Sequence, residues 1–397
     1  MKLAIENDQP IRKTEFPAWP QFDASEEEAL TRALRQGQWW RVHGNENLLF
    51  EKEFSEYHDC EHALTVNSGT VALEIALLAA GIGKGDEVIV PAFTFISTSM
   101  AVQKVGAIPV PVDVMPDTYC ISPQAVCKHI NEKTKAIIPV HMSGHFSDME
   151  TLCAIARDHN LIVIQDSAHA HGARGAGNRS SGDWGSMACF SFQNFKLMTA
   201  GEGGIILFPT KELREKAFLY SNCGRPLGDR EYQHNVIGMN CRLPEFSAAV
   251  LRSQLMRLDQ QTKIREANAD ILRMELVDVE EISLQQRTDL ATVHPHYMFM
   301  FTLNDHKRSS QIDRSQFVEC LIAEGIPAYR AYEALYRVPC FWLEPHPQGS
   351  VERFAKDCPV TEHIASKGIW IHHRALLGTA DDAKDVAIAI RKVLRNI

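Results

Sequence analysis

Short apolar runs punctuate the first half of the chain at intervals that fit strands alternating with helices. Residues 63–66, 87–91, 108–112, 136–140 and 161–164 are each four or five residues long and largely apolar. Runs of that kind suit strands buried on both faces. Between them, 71–80, 95–105, 123–131 and 149–159 read as helices, the first closing at Gly81. This alternation predicts βαβ units and a largely parallel sheet. Residues 187–192 and 204–209 read as two more strands, paired around a loop that holds Lys196. Upstream, a helix is expected over 25–36, with Ser25 as its cap and Glu26, Glu27 and Glu28 in its first turn. Residues 1–20, with Pro10, Pro17 and Pro20, read as an extended arm laid on a surface, this chain's or a partner's.

From about residue 251 the pattern changes. A long charged helix is expected to about 277, then a mixture of strands (297–303) and helices (314–324). The pattern therefore divides the chain into an arm (1–20), a large α/β domain (21–255) and a smaller α+β domain with its connecting helix (256–397). The length of 397 residues suits that division.

Composition narrows the class. With 41 Lys+Arg against 50 Asp+Glu, the net charge is −9, which argues against a nucleic-acid binder. No stretch approaches a membrane span, and the first residues lack a signal-peptide pattern. The 10 Cys form no C-x-x-C pair, so neither zinc nor a disulfide framework is expected, and the cytoplasm is the default compartment.

Four segments of the large domain carry candidate chemistry. Asn67, Ser68, Gly69 and Thr70 join a strand to a helix, where free N–H groups and hydroxyls suit a phosphate ester or simply a helix cap. Asp166 ends a buried strand, the edge at which α/β sheets present ligand sites. His169 and His171 follow it, but their i, i+2 spacing gives little support to a metal site, and none is expected. Ser191, Gln193 and Lys196 precede the Gly-rich turn 201–204. Small and apolar neighbours help keep such a lysine neutral enough to attack a carbonyl. Asn240 and Arg242 stand just before a further helix. Together, an anion cradle, a strand-end carboxylate and a lysine match the needs of pyridoxal 5′-phosphate.

These motifs resemble the DegT/StrS family of pyridoxal-phosphate-dependent sugar aminotransferases. NSGTxAL, xVIVPxxTF, DxAHAxG, SFxxxKxxxxGEGG and GxNxRLxEFxAA occur in order over nearly the whole chain. Within the family, the runs at 16–21, 36–41, 139–144, 192–204 and 370–374 look closest to the 3-amino-5-hydroxybenzoate synthase-like branch. The resemblance implies aminotransferase fold type I: a large, mostly parallel seven-stranded α/β domain plus a small C-terminal one. It implies that Lys196 holds the cofactor as a Schiff base and moves the proton, while Asp166 pairs with the ring nitrogen. Phe95 would stack on the ring, Gly69, Thr70 and Ser191 would hold the phosphate, and Ser68 and Gln193 would also contact the cofactor. His169 stands where most relatives have Gln, near the ring oxygen. Asn240 would reach the phosphate of the other subunit of a homodimer.

The resemblance also implies two half-reactions, with L-glutamate or L-glutamine as donor and a keto- or aldehydo-sugar as acceptor. One such acceptor is the C8 aldehyde of an oxidised 3-deoxy-octulosonic acid destined for lipopolysaccharide. An alternative with the same cofactor is a dehydrating, aromatising 3-amino-5-hydroxybenzoate synthase. A non-catalytic regulator is a third reading, disfavoured because the acidic chain leaves no room for a basic DNA-binding domain. Weaker candidates for substrate contact are Arg225, His234, Tyr329, Arg330, the pair His372 and His373, and the run Trp39, Trp40 and Arg41.

Overall fold

A computed structural model describes residues 2–6, 9–304, 312–343, 346 and 349–397. Its larger sheet has seven strands: β1 (His62–Val66), β2 (Glu87–Pro91), β3 (Ile108–Val112), β4 (Thr134–Ile137), β5 (Ile162–Asp166), β7 (Met187–Ser191) and β8 (Gly204–Phe208). Between β5 and β7, the short β6 (Arg174–Gly175) pairs separately with β10 (Ala291–Val293). The order in the large sheet is β1-β8-β7-β5-β4-β2-β3. Only the pairings of β8, with β1 and with β7, are antiparallel. The fold is α/β, with a large, mostly parallel seven-stranded sheet.

Helices of the first half are α1 (Ala24–Gln36), α2 (Glu46–Tyr57), α3 (Gly69–Ala79), α4 (Ser97–Lys104), α5 (Pro123–His129), α6 (Met149–Asp158) and α7 (Lys211–Ser221). Helix α3 is apolar on nearly every side because it is buried against the sheet, with Ile75, Ala76 and Leu77 fully covered. The long α8 (Glu245–Leu276) passes from the first half to a four-stranded antiparallel sheet, ordered β12-β13-β11-β9. Those strands are β9 (Ile282–Leu284), β11 (Met298–Leu303), β12 (Ala328–Arg330) and β13 (Gly368–His372). Helices α9 (Arg314–Ala323), α10 (Val351–Asp357), α11 (Pro359–Lys367) and α12 (Ala380–Asn396) complete the chain.

Several expected boundaries move, each for a local reason. Asp23, not Ser25, caps α1, because its carboxylate accepts the Ser25 N–H while Glu26 reaches back to the Asp23 N–H. Helix α4 starts at Ser97, leaving Phe95 outside it, and α8 starts at Glu245, six residues before the expected 251. The N-terminal arm packs on its own chain: Leu3 and Phe16 join the core of the four-stranded sheet. Arg12 there pairs with Asp382 and Asp385, and the Ala4 and Ile11 N–H groups donate to the Glu324 carboxylate.

The interior is rich in histidine. Burial holds His141, His145 and His372 down to about 4 and His171 to about 3. An unfolded chain takes up these protons near 6.5, whereas the folded chain excludes them until about 4. Stability is therefore full above pH 6.5 and falls as the pH drops from there toward 4. At about 1.4 kcal/mol per unit, His141 and His145 alone account for a loss on the order of 5 kcal/mol, a large part of a typical total. We expect the melting temperature to be level from pH 7 to 8 and to fall steeply between pH 6.5 and 4.5. Scanning fluorimetry across that range checks it, and a level profile down to pH 4.5 would contradict it.

Candidate active site

The site forms where strand ends, a helix N-terminus and the second sheet converge on a cavity of about 400 Å³. Ser68 is the N-cap of α3, its hydroxyl accepting the Val71 N–H at 3.2 Å, and its carbonyl accepts the Ala72 N–H. Gly69 and Thr70 stand in the first turn, whose N–H groups have no partner within a helix. Thr70 donates its hydroxyl to Ser97 at 2.8 Å. Ser191 closes β7 beside them, and its hydroxyl accepts the Gln193 N–H at 3.4 Å.

Gly69 is there for space. A Cβ on it would lie 2.5 Å from the Ser191 Cβ, so α3 can approach β7 this closely only with glycine at the first turn. Gly69→Ala must push α3 away from Ser191. The expected result is at least a tenfold loss in affinity for a phosphate ester, with secondary structure retained; isothermal titration and circular dichroism measure the two.

Asp166 ends β5 and is 7% exposed. Its Oδ2 accepts the Thr98 hydroxyl at 2.9 Å and its Oδ1 the Ala168 N–H at 3.2 Å. Burial raises its pKa; those two bonds and the nearby Lys196 charge counter only part of the shift. Lys196 lies on the opposing loop, with Nζ 4.4 Å from the centre of the Tyr297 ring. Desolvation lowers its amine to about 8, although the Asp166 charge works the other way. That value leaves a fraction of the amine neutral near pH 7.

The lysine loop is anchored independently of the lysine side chain. Trp19 of the N-terminal arm donates to the Asn194 carbonyl at 2.8 Å, and Thr199 donates to the Phe192 carbonyl at 2.8 Å. His373 Nε2 lies 3.0 Å from the Phe195 carbonyl, and Trp19 meets the His373 ring edge-on at 4.5 Å.

Ser68, Gly69, Thr70, Phe95, Asp166, His169, Ser191, Gln193 and Lys196 all line the cavity. Phe95 is 52% exposed, with its ring 5.8 Å from that of Tyr332. Asn240 is exposed, bridged to Asn222, and is not on the cavity wall of its own chain. Of the weaker candidates only Tyr329 lines the cavity. Arg225 pairs with Asp229, His234 bonds the Cys223 carbonyl, and Arg330 faces Ser315. Trp39, Trp40 and Arg41 pack against Phe246, His43 and Glu51 respectively.

Sequence reasoning missed Tyr297, Tyr332 and Trp370, which line the cavity from the second sheet and its approaches, and Thr98, which orients Asp166. A polar residue at the start of α4, facing the end of β5, was the available signal for Thr98. Among the described residues that line the cavity, Lys196 is the cation and Asp166 and Glu202 are the carboxylates. No group of His, Cys, Asp and Glu among the described residues is arranged to hold a metal ion. No described helix is long and apolar enough to cross a membrane.

Residues 20–391 match the family model described as the DegT/DnrJ/EryC1/StrS aminotransferase family. The chain belongs to this family. It is an aminotransferase, and its cofactor is pyridoxal 5′-phosphate.

The chain is 48% identical over 368 residues to the 3-amino-5-hydroxybenzoate synthase of Amycolatopsis mediterranei, covering 91% of this chain and 93% of that one. It is 34% identical over 418 residues to the L-glutamine:2-deoxy-scyllo-inosose aminotransferase of Streptomyces kanamyceticus, covering 100% and 97%. A crystal structure of 3-amino-5-hydroxybenzoic acid synthase superposes with a TM-score of 0.92 at 46% identity, covering 96% of this chain and 99% of that one.

The residues present fit the cofactor of the family. The helix N-terminus with Ser68, Thr70 and Ser191 suits a phosphate. Asp166, a buried carboxylate with a raised pKa, gains by pairing with a cationic ring nitrogen. Lys196 supplies an amine able to shed its proton near neutrality.

Proposed function

We propose that this aminotransferase takes the amino group of L-glutamine or L-glutamate and delivers it to a carbonyl carbon of a sugar-type acceptor. The observation that carries this reading is the Lys196 amine, lowered to about 8, in one cavity with the buried Asp166 carboxylate. When bound, pyridoxal 5′-phosphate supplies the carbonyl that carries the nitrogen and a ring that accepts electrons. The chain's own groups do the rest in this reading. Lys196 anchors the group and moves a proton through Nζ, Asp166 keeps the ring nitrogen protonated, and Phe95 covers one ring face. Ser68, Gly69, Thr70, Ser191 and Gln193 hold the phosphate, and His169 faces the ring oxygen.

Asn240 acts across a homodimer in the same reading. Its segment carries Leu227, Tyr232 and Ile237, which are 61%, 74% and 99% exposed, a patch that a second copy would cover. The working compartment is the cytoplasm.

Three substrate classes are distinguished by experiment: a ring ketone, the exocyclic C8 aldehyde of an oxidised octulosonic acid, and, with no amino donor, the aminoshikimate-type precursor of an aminobenzoate. The stacked pair Tyr329 and Trp370, 4.4 Å between ring centres, lines the cavity and supplies apolar surface for a sugar-type substrate. The 48% identity to a 3-amino-5-hydroxybenzoate synthase favours the third class as the second reading. The deciding experiment loads the protein with cofactor, adds glutamine or glutamate, and follows the visible absorbance. Each acceptor is then added and the product mass read. Loss of the band with a donor supports amino transfer, and no change with either donor refutes it. An aromatic product formed without any donor would establish the synthase instead.

A further inference from the structure

In the run Pro139-Val-His-Met-Ser-Gly144, Val140 lines the cavity while Ser143 stands off its wall, and Ser143 is held in an unusual way. Ser143 is fully buried at φ 61°, ψ 3°, the left-handed region that a residue with a side chain occupies only when its surroundings enforce it. The enforcement is visible on every side. The Ser143 N–H donates to His169 Nδ1 at 3.3 Å, and its carbonyl accepts the Tyr297 N–H at 2.9 Å. Its hydroxyl is shared between Gln285 Oε1 at 2.6 Å and the Met298 carbonyl at 3.0 Å. Gln285 is itself fixed by donating to the Thr118 and Met142 carbonyls. Gly144 leaves no slack, since a Cβ there would lie 2.8 Å from Pro295 and 3.0 Å from the His169 carbonyl.

Two of the four residues that Ser143 bonds, His169 and Tyr297, form a stack that reaches the lysine. The His169 and Tyr297 rings stack with centres 4.3 Å apart, and the Lys196 amine sits over the other partner, Tyr297. A ring nitrogen that accepts an amide N–H carries no proton of its own. Burial and the neighbouring Lys196 charge keep this imidazole neutral, so its single proton is on Nε2.

We propose that Ser143 is a positioning residue that locks His169 as an Nε2–H donor to the cavity and seats the Tyr297 ring under the Lys196 amine. The proposal rests on the amine-transfer reading of the cavity only for its consequence. The tautomer itself follows from the hydrogen bonds. His169 is thereby a permanent donor and never the base in the proton transfer, which leaves that task to Lys196.

The test uses the full-length, cofactor-loaded protein with 15N-labelled histidine. Long-range proton–nitrogen spectra identify His169 by the signal that His169→Gln removes. The expected spectrum has a protonated Nε2 and a bare Nδ1, unchanged from pH 8 to pH 6. Ser143→Gly tolerates the left-handed backbone and keeps the N–H, so it should preserve that signature. Ser143→Val disfavours that backbone and loses the hydroxyl, so the two tautomers should mix and kcat should fall about tenfold or more. A wild-type signal with the proton on Nδ1 overturns the proposal, as does a Val variant with unchanged tautomer and kcat. Should the Val variant fail to fold, the wild-type and Ser143→Gly spectra still decide, since a proton on Nδ1 in either overturns the proposal. Failure to bind pyridoxal 5′-phosphate would count against the functional reading, while the His169 spectrum would still decide the tautomer.

Discussion

Lys196→Ala is expected to lose about two to four orders of magnitude in kcat, the range a single proton-transferring group contributes. The geometry makes this a specific loss. The loop around Lys196 is held by Trp19, Thr199 and His373 through main-chain carbonyls, none of which depends on the lysine side chain. The variant should therefore fold, with a melting temperature close to that of the wild type. Lys196→Arg sharpens the result. Arginine keeps a positive charge over the Tyr297 ring but does not lose its proton near neutrality, so it can satisfy the electrostatics without doing the chemistry. Both variants should be inactive, and only the wild type should yield a cofactor adduct at residue 196 after borohydride reduction and peptide mass mapping. An Arg variant that keeps a tenth of wild-type activity would show that the charge, not the transferable proton, is what matters.

Much of the larger sheet was legible because its strands are buried on both faces and therefore read as continuous apolar runs. The runs at 87–91 and 108–112 coincide with β2 and β3 to the residue. Helix α2 was not anticipated. It buries Glu46 and Glu51 alongside Phe50 and Phe54, and the carboxylates are tolerated because Arg32 and Arg252 reach Glu46, while Arg41, Arg214 and Thr65 reach Glu51. That compensation is tertiary and leaves no periodic trace. The same division holds in the cavity. Its strand-end and turn residues carry local signals: Gly69 for a close approach, Asp166 at a strand terminus, Lys196 before a glycine turn. Tyr297 and Trp370 come from or next to the second sheet, where an aromatic reads as ordinary core until the sheet is set against the lysine loop, whereas Tyr329, named from the sequence, does line the cavity. Arg225 misled in the opposite sense, since its i, i+4 neighbour Asp229 takes up the guanidinium.

Asp166→Asn tests the other half of the chemistry, and the surroundings make it an unusually clean substitution. In the wild type, Thr98 donates to Asp166 Oδ2, and the Thr98 and Thr94 hydroxyls lie 3.1 Å apart with either able to donate. An asparagine amide placed at Oδ2 can donate to the Thr98 hydroxyl, which then turns its proton toward Thr94, while Oδ1 keeps the Ala168 N–H. No buried polar group is stranded, so the fold should hold; burial costs less for the amide than for the carboxylate it replaces. What disappears is one negative charge. Its effect on Lys196 has a definite sign: Asp166 raises the lysine pKa, so the variant amine should titrate below about 8, which a pH series of reductive labelling at Lys196 measures. Its effect on catalysis is larger. Without a carboxylate to hold the ring nitrogen protonated, kcat should fall about 100- to 1,000-fold, the usual range for removing one preorganised electrostatic partner. Asp166→Glu retains the charge but must seat an extra methylene at the end of β5, so it should recover the lysine pKa more fully than the rate. An Asn variant with near-normal kcat would mean that the carboxylate serves the lysine alone and has no part in holding a proton on the ring.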